Sequence, residues 1–199
     1  MTLVSNRFAR NVRLQSAARN SPPLKKFEPD RDAVALLQQA LVDIGFEMPI
    51  SLAKGKPDGI YGDETVNTVA DFQTEQTLQR DGQAGHDTLH RLDLIFANPP
   101  LTEQSVLVCP HGGRVQFTSS SPRPRRSAAP RILTVNDVFV VSGCPFALLG
   151  SPSPCLTVQW VVSNPQFRIK GRNTLNASSV GLCANSIQVP QGSVAIVRV

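Results

Sequence analysis

Four cysteines and a histidine carry the most reactive chemistry in this chain. Cys109, Cys144, Cys155 and Cys183 all fall within the last 91 residues, and each sits in turn-forming sequence: Cys109-Pro110-His111-Gly112-Gly113, Gly143-Cys144-Pro145, Pro154-Cys155 and Gly181-Leu182-Cys183. Thiolates are soft ligands, and four of them complete a tetrahedral zinc site. Intervals of 34, 10 and 27 residues are not the paired C-x-x-C knuckles of common zinc fingers, so spacing leaves metal, free thiols and disulfides all open. His111 is a fifth donor. Four cysteines rank first as the ligand set, and three cysteines with His111 rank second, because residues i and i+2 at a strand end point to opposite faces. The same geometry argues against a Cys109/His111 hydrolase, and with no oxyanion element in view the chain is expected not to be an enzyme. His86 and His90, four apart on a helical pattern, lack a third ligand and read as a solvated pair.

The elements that must position these groups divide the chain. Residues 1–31 hold seven Lys/Arg and two Asp/Glu, residues 32–105 four and twelve, and residues 106–199 nine and one, giving segments of +5, −8 and +8. Four of the basic residues in the last segment lie in the Ser/Pro-rich stretch 119–131, which has no aromatic to stack a base, so a solvated loop is expected and no nucleic-acid partner. No run of 18 apolar residues is present, hence no membrane anchor. The first residues lack the apolar core of a signal peptide, which predicts synthesis in a reducing cytoplasm, where cysteine clusters favour metal.

Residues 1–29 read as an extended basic arm broken by prolines. A helix is predicted from a cap at Asp30 or Asp32 through Ala33–Ile44, a second from Asp63 or Glu64 to Gln76, and a third over His86–Phe96. Asp58-Gly59-Ile60-Tyr61-Gly62-Asp63-Glu64-Thr65 and Asp81-Gly82-Gln83-Ala84-Gly85-His86-Asp87-Thr88 repeat the pattern D-G-x-x-G-x-x-T, each opening a helix. The second glycine is expected to take a positive φ or allow a close chain approach, and the polar residues after it to meet free helix amides. These two loops, with Leu37-Gln38-Gln39-Ala40-Leu41, Gly45-Phe46 and Val69-Ala70-Asp71-Phe72-Gln73, resemble the peptidoglycan-binding-domain-like family over residues 30–97. The resemblance implies a three-helix bundle whose first loop holds cell-wall glycopeptide. Asp58, Tyr61 and Asn67 are then the glycan-binding candidates, with Tyr61 either lying against a sugar or packing under its loop.

Residues 98–104 read as a linker, after which short β-branched runs separated by Gly, Pro, Ser and Asn predict a small all-β domain over 105–199. The runs are Val106–Val108, Arg114–Thr118, Ile132–Val135, Val138–Val141, Leu156–Val162, Gln166–Lys170 and Ser193–Val199. The order Cys-x-x-Gly, Gly-Cys-Pro-Phe, Pro-Cys-Leu-Thr-Val-Gln-Trp, Phe-Arg-Ile-Lys-Gly, Ser-Ser-Val-Gly-Leu-Cys and a final Gln-Gly-Ser-Val-Ala-Ile resembles the PAAR-like spike-tip proteins of contractile, phage-tail-like injection machines. That resemblance implies an α + β chain in two domains, the second a conical β domain stapled by one zinc. It also implies a trimeric spike as partner, with peptidoglycan or a cargo protein for the helical module. With a single histidine in this half, the chain departs from the histidine-rich set of PAAR proteins proper.

Overall fold

The helices begin where the capping chemistry puts them, in a computed structural model that describes residues 2–118 and 130–198. Helix α1 spans Val12–Ala17, α2 Arg31–Asp43, α3 Asp63–Glu75 and α4 His86–Ala97. Asp30 caps α2, its carboxylate accepting from the Ala33 amide at 2.9 Å, and Gly45 (φ +107°) follows its last turn. The three helices expected from sequence are present with ends within a few residues, but the helical part is not a three-helix bundle. It has a fourth helix, because residues 1–29 are not an extended arm. Leu3, Phe8, Leu14, Ala17, Ala18 and Leu24 are buried, and the Asp93 carboxylate accepts from the amides of Val4 and Ser5 at 2.8 and 2.9 Å. Apolar residues too widely spaced to form a stripe in sequence still bury one by one when a neighbouring helix supplies the other side of the contact.

By contact density the described chain forms two units, one from residues 2–98 and 166–171, the other from 99–118, 130–165 and 172–198. In the first unit Leu37, Leu41, Val69, Phe72, Leu89 and Leu92 are fully buried, and Phe46 meets the Phe72 ring edge-on at 5.9 Å.

Antiparallel strands make the second unit, except that residues 166–169 of the seventh strand are counted in the first. They are β1 (Val106–Val108), β2 (Arg114–Thr118), β3 (Val138–Ser142), β4 (Ala147–Leu148), β5 (Ser151–Pro152), β6 (Thr157–Val162), β7 (Asn164–Ile169), β8 (Arg172–Thr174), β9 (Val180–Ala184), β10 (Pro190–Ser193) and β11 (Ala195–Arg198). Seven of them make one sheet in the order β10-β9-β6-β3-β2-β1-β11, while β4-β5 and β7-β8 pair separately. Strands β10 and β11 lie at opposite edges of that order, yet only Val194 separates them in sequence. One residue cannot bridge a flat seven-stranded sheet, in which strands lie about 4.8 Å apart, so the sheet curls until it nearly closes.

The predicted linker is not one, since Leu101 is fully buried and its amide donates to Leu175 at 2.7 Å while its carbonyl accepts from Leu133 at 2.8 Å. The expected strand 132–135 is reduced to isolated bridges, Thr102 to Ile132 and Thr134 to Thr174. The basic stretch 119–131 lies outside the described residues for most of its length. Phe139, Val141, Leu107, Val115 and Leu133 form the core, and Cys109, Cys155 and Cys183 belong to the same cluster.

Candidate metal centre and the helix-opening loops

Cys109 ends the first strand and begins a tight turn. Its amide donates to Gly113 at 2.8 Å, the Gly112 amide donates back to Cys109 at 3.0 Å, and Gly112 sits at φ +88°. Strand alternation therefore stops at Val108, and the turn swings His111 to the same side as Cys109. This corrects the expectation that Cys-x-His must diverge. Ligand atoms of Cys109, His111, Cys144 and Cys155 all lie within 4.8 Å of one another, the only such group of potential metal ligands among the described residues. His111 Nδ1 is 3.4 Å from Cys155 Sγ and 3.8 Å from Cys144 Sγ. A tetrahedral ion with bonds of about 2.0–2.3 Å has ligand-to-ligand edges of about 3.3–3.8 Å, a range that both His111 distances meet. The His111 ring is held by stacking on Phe146, centroids 4.0 Å apart.

The surroundings prepare the thiolates. The Gly113 amide donates to Cys109 Sγ at 3.1 Å. A Cβ at Gly113 would sit 2.9 Å from Cys144 Cβ and 3.0 Å from Cys109 Sγ, so only glycine lets this amide approach. Burial works to raise the Cys144 pKa, but hydrogen bonds from the amides of Cys155 and Phe146 and from the neighbouring thiols prevail and lower it. Cys155 moves the other way, raised by burial and then by its bond to Cys144 and the charges beside it. Cys183 is pushed up to about 11, by burial first and by the charge on Cys109 second. Clustered thiols cannot all ionise against one another unless a cation is shared among them. The donors that come mutually close are the second-ranked set, Cys109, Cys144 and Cys155 with His111. Cys183, fully buried on β9 opposite Val158, stands beside the group rather than in it.

In the helical unit the two repeated loops make one hydrogen-bond pattern twice. Gln38, fully buried on α2, donates through Nε2 to Asp58 Oδ1, Ile60 O and Thr65 Oγ1, and accepts from the Gly59 amide. Gln73, buried on α3, donates to Asp81 Oδ1, Gln83 O and Thr88 Oγ1, and accepts from the Gly82 amide. A buried carboxamide is tolerated only when its donors and acceptor are met, which the loop residues do. The first glycine of each copy, not the second, has the positive φ: +69° at Gly59 and +67° at Gly82. A side chain at Gly59 would meet the Arg31 carbonyl at 2.6 Å. The second glycines, Gly62 and Gly85, are N-caps without a side-chain cap bond. For α4 the cap is supplied from a distance, Asn20 Oδ1 accepting from the His86 amide at 2.7 Å. The two glutamines were not singled out from sequence. Their signal is a polar residue inside an apolar helical stripe, once before each repeat.

The predicted glycan triad is not assembled. Tyr61 is buried, its phenol donating to the Gly82 carbonyl at 2.9 Å and its pKa raised by burial, so no ring face is offered to a sugar. Asp58 Oδ1 is engaged by Gln38 and by the Ile60 amide. Asp58 and Asn67 are exposed, but only Asn67 carries no such tie to the loop. A polar cleft of about 200 Å³ opens beside the second loop, lined by Asn20, Gln79, Asp81, Gln83 and His86 among others.

Residues 30–92 match the family model described as "Putative peptidoglycan binding domain", a span holding both loops and both glutamines. No solved structure matches the chain.

Proposed function

We propose that this chain is the tip protein of a contractile, phage-tail-like injection machine, a non-enzymatic piece that carries a wall-binding module to the target envelope. The observation that carries the reading is the pairing, in one chain, of a peptidoglycan-binding-like module with a β unit whose metal donors come from widely separated turns. Zinc is the ion such a donor set favours: three thiolates and an imidazole are soft to borderline ligands, and the fit is tetrahedral. The ion would tie the turns after β1, before β4 and before β6, giving a small β unit a cross-link that a thin core cannot supply. A cone of this kind seated on a trimeric spike is what the order of the cysteine motifs supports, and cargo held by the helical module is a further use of the same design. The protein would be made in the bacterial cytoplasm and leave it within the assembled particle.

A second reading, a peptidoglycan-binding protein with a metal-stabilised accessory unit, is favoured by the family match falling on the helical module. Two measurements separate them. Binding to a trimeric spike at micromolar concentration supports the first, and its absence together with co-sedimentation on purified peptidoglycan selects the second. About one equivalent of zinc in protein purified without added metal is expected. Metal-free protein with intact disulfides would overturn the staple.

A further inference from the structure

We propose that Phe27 and Lys25 form the contact by which the helical unit grips an acidic cell-wall saccharide, a site that lies outside the residues matching the family model. The inference rests on the wall-binding reading and relocates its site.

Phe27 combines two features. Its side chain is 84% exposed, and its backbone sits at φ +68°. A left-handed backbone is a genuine outlier for a bulky residue, and it persists only where the surroundings impose it. Those surroundings are built. Leu24 is fully buried and pairs both ways with Ala84, at 3.1 and 2.9 Å. The Arg13 guanidinium grips both Glu28 carboxylate oxygens, at 2.9 and 2.6 Å, and donates to the carbonyls of Pro22 and Pro23. The Phe27 amide donates to the Tyr61 carbonyl at 3.2 Å, tying the segment to the first repeated loop. Residues 22–28 are therefore fixed at several points, while the side chains of Lys25, Lys26 and Phe27 face solvent.

A rigid loop holding an aromatic ring outward at a backbone cost is pre-organised for a ligand. The flat face of a pyranose suits such a ring. The cleft beside it, about 270 Å³, is lined by Arg13, Lys25, Lys26, Phe27 and the Arg13-paired Glu28 together with prolines. Lys26 lies 5.4 Å over the Phe27 ring and is paired with Asp63. Lys25 has no ion pair among the described residues, and this part of the chain is the +5 segment. Carboxylates of the muramyl peptide complement that charge, whereas a neutral glycan does not.

The full-length protein is titrated with a soluble muropeptide and with a neutral N-acetylglucosamine oligomer, and co-sedimented with purified peptidoglycan. Phe27→Asn is expected to lose at least tenfold in muropeptide affinity while its melting temperature is unchanged or higher, since Asn tolerates the left-handed region. Phe27→Trp should retain binding. Lys25→Glu should weaken the muropeptide severalfold and leave the weaker neutral oligomer unaffected. If wild type binds and Phe27→Asn binds equally, or if Phe27→Asn melts lower, the inference fails while the wall-binding reading stands. If wild type does not bind peptidoglycan at all, both fail.

Discussion

At the scale of single residues, the candidate metal centre depends on one hydrogen atom in place of a methyl group. Gly113→Ala puts a carbon within 3.0 Å of Cys144 Cβ, Cys109 Sγ and Val141 Cγ1 at once. Overpacking of this sort costs about 1–3 kcal/mol, and the displaced turn also carries Cys109 and His111. Reduced metal stoichiometry and a lower melting temperature are expected together; a fully metallated, equally stable variant would contradict the geometry. Elsewhere a histidine sets a pH limit. His90, half-buried on α4 with its ring 4.5 Å from His86, has its pKa lowered, by burial first and by the charge of His86 second. It was expected to be solvated, but Nε2 is buried without a partner among the described residues. A depressed folded-state pKa contributes stability above the unfolded value of about 6.5 and loses it as pH falls through the folded value. Stability followed by denaturant titration should therefore decline below about pH 6.5, and His90→Gln should flatten that decline.

At the scale of elements, the paired loops are held by Gln38 and Gln73 rather than by the loop sequence alone. Removing either carboxamide strands the buried Gly59 or Gly82 amide, while the loop carboxylate keeps the Ile60 or Gln83 amide and the threonine hydroxyl keeps the Ile60 or Gln83 carbonyl. Leaving a buried polar group unpaired costs about 1–3 kcal/mol, so Gln38→Ala or Gln73→Ala should destabilise the helical unit by about that much. Urea unfolding followed by helical circular dichroism measures this; a change under about 1 kcal/mol would show that water replaces the side chain. The helices were legible because their information is local: Asp30 capping Ala33, and apolar residues three and four apart. Strand β9 was not, although it carries Cys183. Val180-Gly181-Leu182-Cys183-Ala184 has a glycine at its second position, and the residue opposite it is Trp160, which a side chain at Gly181 would strike at 3.0 Å. A glycine that reads as a breaker in sequence is here a fitted gap in the sheet.

At the scale of the molecule, the two units should respond differently to loss of metal. Chelation is expected to lower the melting temperature of the β unit, seen in Trp160 fluorescence, while the helical signal persists; a single unshifted transition would count against a structural ion. A ligand bound only to the folded state stabilises it by mass action, so the shift should grow with chelator strength. The sequence by itself determined the positions of α2, α3 and α4, the Asp30 cap of α2, the two helix-opening repeats and the confinement of all four cysteines to one half, because each rests on neighbours within a few residues. The tertiary structure decided which donors meet, that residues 1–29 are part of the helical unit, that Tyr61 is interior and that Phe27 is not. Those outcomes depend on which surfaces face each other after chain segments tens of residues apart come together. Neither helical period nor cysteine spacing carries that information.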